Sequence, residues 1–244
     1  MTSDVTAKKK QAGLAGVVAG ETAIATVGKE GKGLSYRGYS IHDLAENATF
    51  EEVAFLLLMD HLPNLKELDS FRARLKSNRW LPDELMATLR NIPKSAHPMD
   101  VLRTGCSMLG VLEPEKGFGD QCSKTERLLG CLPSILLYWY RYSHDSVEID
   151  FESDDDSIAG YFLEKLADES PAALFKQAMD VSLILYAEHE FNASTFTARV
   201  CTATLSDIYS AITGAIGTLR GPLHGGANEA AMELIELYAS ADDA

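Results

Sequence analysis

The chain has 244 residues, 46% of them hydrophobic and 24% charged, which is the composition of a globular protein with enough apolar material for a sizeable core. Its net charge of −14 argues against a nucleic-acid backbone or an anionic membrane surface as the main partner. It leaves room for a small anionic ligand in a locally positive site.

Residues 1–12 are polar and read as a loose N-terminus, with no apolar run after the lysines that would make a secretory leader. Next, "TAIATV" and "GLSYRGY" are short β-like runs separated by "GKEGKG", the pattern of a small hairpin. From there the periodicity is helical. "TFEEVAFLLLMDHLPN" opens on a capping box, Thr49 with Glu52, and stops by Pro63. Asn64 with Glu67 repeats the device. "LPDELMATLRNIP" is bounded by prolines, and Pro98 suits a first helical turn. "SKTERLLGCLPSILLYWYRYSH" is long and apolar, with a kink expected at Pro133. "EIDFESDDDS" lacks the spacing of a calcium loop and reads as a solvated acidic surface.

Ser170 and Pro171 read as N-cap and first-turn residues of a further helix. On it Phe175, Ala178, Met179, Ser182, Tyr186 and His189 follow helical spacing, a stripe expected to face the core with His189 in the last turn. "SDIYSAITGAIGTLRGP" is a helix whose Ala and Gly positions suit close packing, ended by Gly221 and Pro222. A last helix starts near Asn228. No repeat or low-complexity tract interrupts the series, so the fold class is mostly α with one small N-terminal β-hairpin. No apolar run reaches the ~18–20 residues of a membrane span. Four scattered cysteines without a Cys-x-x-Cys pair suit reduced thiols in the cytoplasm.

Six histidines are present. His42, His61, His97 and His144 sit where surface, capping or helix-end roles account for them. His189 is followed at once by Asn192, Ser194 and Thr195, polar groups that can converge on a ligand or satisfy the last carbonyls of the helix. His224 lies in "GPLHGGANE", which is either a plain turn or a loop whose glycines admit a ligand to the backbone. Just ahead of a helix, the dipole disfavours imidazolium, and a neutral imidazole can donate a hydrogen bond to a carbonyl becoming an enolate. Gly225 and Gly226 would let a thioester approach. His189, Glu190 and His224 are metal-ligand types. Neither His-Glu-x-x-His nor a Cys/His set is present, and no metal is expected.

"GPLHGGANE" and "YAEHEFNASTFTARV", with "LSYRGYSIHDLAENATFEEVAFLLL" and "HPMDVLRTGCSMLG", resemble the citrate synthase family over residues 13–232. "SILLYWYRYSH" and "SDDDSIAGYFL" look most like its 2-methylcitrate synthase branch. The resemblance implies an almost all-α homodimer. Residues 13–244 would be the N-terminal portion of its large helical domain, with most of the small domain missing. It implies joining of an acyl-CoA, here propionyl-CoA, to oxaloacetate with no metal or redox cofactor. It gives His224 the thioester carbonyl, His189 and Asn192 the oxaloacetate, and Gly225 and Gly226 the backbone contacts to the acyl-CoA. Phe191 is either a selectivity residue or plain core. Arg37, Arg103 and Arg199 are either anion contacts or surface ion pairs. The family's catalytic aspartate, a further histidine and the carboxylate-binding arginines belong to motifs that 1–244 does not match. The expectation is therefore that these residues do not turn over alone. Acetyl-CoA as the substrate, and a non-catalytic dimerisation scaffold, are the alternatives.

Overall fold

The computed structural model describes residues 18–28 and 33–238; residues 1–12 and most of the "GKEGKG" turn fall outside them. The N-terminal strands β1 (Ala25–Val27), β2 (Leu34–Tyr36) and β3 (Tyr39–Ser40) form an antiparallel sheet in that order. The expected hairpin thus gains a third strand. Tyr36 pairs with Tyr39 across Arg37 and Gly38, whose φ values of 48° and 88° are those of a type I′ turn.

The helices among the described residues are α1 (Ile41–Asn47), α2 (Phe50–Met59), α3 (Leu65–Ser77), α4 (Asp83–Arg90), α5 (Pro98–Leu112), α6 (Gln121–Asp145), α7 (Ile158–Ala167), α8 (Ala173–Tyr186), α9 (Ala193–Ala203), α10 (Ile208–Leu219) and α11 (Gly226–Glu236). Their starts follow from local chemistry. The Thr49 N–H donates to Glu52 at 2.8 Å, and Asn64 and Glu67 exchange backbone-to-side-chain bonds of 2.9 and 3.1 Å. His97 Nδ1 accepts from the Met99 N–H, so this histidine caps α5. α6 continues as one helix through Pro133.

The main core gathers α4, α5, α6 and α10 around Leu85, Leu89, Leu109, Cys131, Ile135, Trp139 and Tyr209. Burial pushes the Cys131 thiol up to about 12, which keeps it protonated and inert. A second cluster packs Tyr36, Ile41, Val53 and Leu56 against Ile184 of α8. Gly130 marks the crossing of α6 over α3. A Cβ there would come within 2.5 Å of the Leu75 carbonyl oxygen.

Two expectations about α8 are corrected. Its N-cap is Ala172, without a side-chain cap, rather than Ser170. The stripe of Phe175, Ala178, Ser182 and Tyr186 faces outward, with Phe175 67% exposed, while Leu183, Ile184 and Ala187 turn to the core. α8 is apolar on two faces, and the packed one is chosen by α1, α2 and α7, which lie against it. The helix also stops at Tyr186, so His189 is beyond its last turn, and exposed.

Glu51 on α2 is fully buried. Its Oε1 accepts from the Ile158 N–H at 2.9 Å, while Oε2 has no hydrogen-bond partner among the described residues and meets Arg72 only at 3.8 Å. Burial raises its pKa above 4.5, and Asp180 adds to this against the opposing pull of the Ile158 amide and Arg72. A carboxyl raised in the folded state stabilises the fold at low pH and loses that contribution as pH rises through the folded value. Glu51→Gln keeps an acceptor for Ile158 and carries no charge. Its expected effect is a Tm about 2–4 °C above wild type at pH 7, for ~1 kcal/mol, with the gap closing towards pH 4. Thermal melts across that range check it; a gap that widens on acidification would overturn the assignment.

Candidate active site

α9 and α10 run antiparallel, tied between the first half of α9 and the last turn of α10 by the Thr218 hydroxyl donating to Thr197 Oγ1 at 2.9 Å. This pairing sets the start of α9 beside the end of α10. The loop before α9 (187–192) and the turn after α10 (220–225) therefore meet at one end of the pair.

Asn192 shapes the first loop. Its Oδ1 accepts from the Thr195 N–H at 2.9 Å and from the Ser194 hydroxyl at 2.8 Å, capping α9. The carbonyl oxygen of this amide is thus committed to the fold, and Nδ2 is the part left for a ligand. The second loop is a tight turn in which the His224 and Gly225 N–H groups both donate to the Gly221 carbonyl, at 2.9 and 3.1 Å. Gly225 has a steric reason of its own, since a Cβ there would lie 2.1 Å from the Leu219 carbonyl oxygen. Gly226 has none: its Cβ would meet Pro222 at an ordinary 3.6 Å.

The two loops join through His224. The Ser194 N–H donates to His224 Nε2 at 3.2 Å, and Ser194 Oγ lies 2.9 Å from the same nitrogen. The Ser194 hydroxyl is within reach of both Asn192 Oδ1 and His224 Nε2, so this one residue ties the cap of α9 to the imidazole. With α11 starting two residues later, His224 stands beside the positive end of a helix. The result is a half-buried imidazole whose Nε2 is engaged by Ser194, which leaves Nδ1 as the ring nitrogen to face a ligand.

His189 lies on the same loop as Asn192. The 188–191 segment is held by groups from the N-terminal sheet. Tyr36 Oη accepts from the Glu188 N–H at 3.2 Å and lies 3.1 Å from the Ile184 and Glu188 carbonyls, to which its proton is donated. Glu190 Oε1 accepts from the Val27 N–H at 2.8 Å. The Phe191 ring fits against Gly20, where a Cβ would be 3.0 Å from its Cζ, and under Arg199 at 4.5 Å. Phe191 is thus a packing residue of the loop. Desolvation raises the Glu188 carboxyl pKa, opposed by the Glu190 amide.

Of the three arginines, Arg37 pairs with Asp60 at 3.0 Å and Arg103 with Asp100 at 3.1 Å, which favours the ion-pair alternative for both. Arg199 borders a groove of about 630 Å³ with Ser194, Thr195, Thr202 and Ile212, beside the His224 contact. A cleft of about 300 Å³ opens on the other side of the turn, between His97, Met99, Arg220, Pro222 and the Gly225–Gly226 pair. Among the described residues no group of three or more His, Cys, Asp or Glu side chains is placed to hold a metal ion, and no helix is long and apolar enough to cross a membrane.

Sequence reasoning singles out His224, His189 and Asn192, and the structure brings His224 and Asn192 together through Ser194. It noted Ser194 without giving it a role, and it missed Tyr36 and Glu190 as supports of the loop.

Comparison with known proteins bears on this site. Residues 13–244 match the family model described as "Citrate synthase, C-terminal domain". The chain is 63% identical over 225 residues to a 2-methylcitrate synthase of Shewanella oneidensis, covering 92% of this chain and 60% of that protein. It is 42% identical over 227 residues to citrate synthase 2 of Bacillus subtilis, covering 91% and 60%. In three dimensions it is similar, with a TM-score of 0.85 and 28% identity, to a citrate synthase of Thermoplasma acidophilum solved as a ternary complex with carboxymethyl coenzyme A and oxaloacetate. That match covers 92% of this chain and 60% of the solved one. The chain thus spans about 60% of the length of the relatives it matches.

Proposed function

The chain belongs to the citrate synthase family, and from that premise we propose that it carries part of the machinery for condensing an acyl-CoA, preferentially propionyl-CoA, with oxaloacetate to give 2-methylcitrate and free CoA. The observation that carries the proposal is the joining of the two loops at His224, where Ser194 engages Nε2 and Nδ1 is left to meet a thioester carbonyl. A thioester α-proton is weakly acidic. A preorganised donor at the carbonyl oxygen lowers the cost of the enolate that forms when the proton leaves. The enolate carbon then attacks the ketone carbon of oxaloacetate, and hydrolysis of the thioester releases the thiol.

In this reading His189 and the Asn192 amide nitrogen hold the oxaloacetate, and the cleft by Gly225 and Gly226 takes the thioester. The base that removes the α-proton belongs to a family motif that 1–244 does not match. The substrate is a CoA thioester, with no metal or redox cofactor taking part. Residues 13–244 belong to the large helical domain, and the partner is a second copy. Exposed Met232, Leu234 and Ile235 on α11 support that last point. Free, buried Cys106 and Cys131 suit a reducing compartment, the cytoplasm.

Propionyl-CoA is preferred to acetyl-CoA here because the 63% relative is a 2-methylcitrate synthase and the citrate synthase relative stands at 42%. The two acyl groups differ by one methylene, worth only ~1–3 kcal/mol in an apolar pocket, so overlapping activity is expected. The test is thiol release by the full natural reading frame encoding these residues, with each acyl-CoA. Oxaloacetate-dependent release favouring propionyl-CoA bears the proposal out. A preference for acetyl-CoA moves it to citrate formation, and no release with either leaves the scaffold alternative.

A further inference from the structure

We infer that the N-terminal sheet is the positioning element for His189, with Tyr36 and Glu190 as its two positioning residues. The inference rests on the reading of His189 as an oxaloacetate ligand. His189 is exposed and lies outside any helix, so its place depends on how the loop backbone on either side of it is held. The residues on either side of it are fixed from more than 150 positions away. On the N-terminal side, Tyr36 is fully buried, and its hydroxyl meets the Glu188 N–H, the Glu188 carbonyl and the Ile184 carbonyl near the end of α8. On the C-terminal side, Glu190 takes a φ of 53°, a left-handed conformation that a non-glycine residue holds only when its surroundings impose it. The surroundings are the Val27 N–H, donating to Oε1 at 2.8 Å, and the Glu190 N–H donating to Glu188 Oε2 at 2.8 Å. Gly20 then seats the Phe191 ring one residue further on. Three successive contacts from one small sheet and its leading strand thus bracket a single histidine. Neither Tyr36 nor Glu190 needs to touch substrate; each sets the place of the side chain that does.

A plain core role for Tyr36 would destabilise the whole molecule when lost. A positioning role acts locally and on one substrate. The discriminating variant is Tyr36→Phe, which keeps the ring and removes only the hydroxyl. By hydrogen–deuterium exchange, the Glu188 amide and its neighbours to Asn192 should exchange about tenfold faster, the worth of one lost hydrogen bond, while amides of α6 keep their wild-type rates. In the full natural reading frame, KM for oxaloacetate should rise about five- to tenfold, with kcat and the KM for acyl-CoA within twofold of wild type. Glu190→Ala should reproduce the pattern and Glu190→Gln, which retains an acceptor for Val27, should restore it. That pair carries the test if Tyr36→Phe does not fold.

Unchanged exchange at 188–192, or a uniform rise that includes α6, would overturn the inference. So would an unchanged KM in Tyr36→Phe alongside a His189→Ala variant that loses oxaloacetate. His189→Ala with undiminished oxaloacetate affinity would instead overturn the reading of His189, and with it the substrate half of this inference. The exchange data would then still report whether the sheet holds the loop.

Discussion

His224→Ala in the full natural reading frame is expected to lower kcat for thiol release about 10²- to 10³-fold, or ~3–4 kcal/mol of barrier, the usual loss when one oxyanion-stabilising donor is removed. The size follows from what the imidazole presents. Its Nε2 is engaged by Ser194, so Nδ1 is the ring nitrogen left, in the proposed role, to meet the thioester carbonyl. A donor fixed before substrate arrives pays no reorganisation when charge develops. KM for oxaloacetate should stay within threefold, because His224 is assigned to the other substrate. His224→Gln, which keeps an N–H donor at similar reach, should recover part of the loss. Stability should change little, since the ring is only half-buried. Steady-state kinetics with saturating oxaloacetate check all of this. A kcat within threefold of wild type would remove His224 from the chemistry.

What could be read from the sequence divides by distance along the chain. The capping boxes at Thr49 and Asn64 and the His97–Pro98 entry to α5 are local devices, and they stand as expected. The third strand was missed because a type I′ turn is ordinarily marked by Asn or Gly at its first central position, and here Arg37 occupies it at φ 48°. The face of α8 was read wrongly because Phe175, Ala178 and Tyr186 make as good a stripe as Leu183, Ile184 and Ala187. Periodicity identifies a helix but not which of two apolar faces meets a neighbour. At the site, the glycine density around His224 is legible and its cause only partly so: Gly225 also answers to the Leu219 carbonyl, which a Cβ would strike. Asn192 was marked as polar beyond a helix end, yet its Oδ1 caps the next helix. Tyr36 and Val27 reach the His189 loop across 152 and 163 positions, and no single-sequence pattern carries that.

Arg127→Ala is expected to cost about 3–5 kcal/mol of folding stability, the range for breaking a buried, hydrogen-bonded ion pair by deleting one partner. In a chain of this size that is a fall in Tm of roughly 10 °C. Arg127 sits on α6 with its side chain 5% exposed. Burial alone would push its pKa down, but hydrogen bonding to Glu113 together with the charge of Glu113 and the neighbouring Cys131 and Tyr209 holds it above its ordinary value. Nε donates to Glu113 Oε2 at 3.0 Å and Nη2 to Oε1 at 2.9 Å, a two-pronged grip that a lysine cannot make. Nη1 donates to the Asn78 carbonyl and, at 2.9 Å, to that of Trp80, and the guanidinium lies 4.4 Å over the Trp80 ring. One side chain therefore fastens the end of α5, the α3–α4 connection and α6. Alanine strands the Glu113 carboxylate and two carbonyls, while Arg127→Lys keeps a charge but not the fork, and should lose about half as much. Calorimetry on the three proteins checks the order. Alanine and lysine variants both within 3 °C of wild type would mean the pair is worth no more than a surface one. Because α5 packs on α10, whose end carries the His224 turn, the loss should lower the midpoint of the whole fold before any change in the geometry at His224 becomes visible.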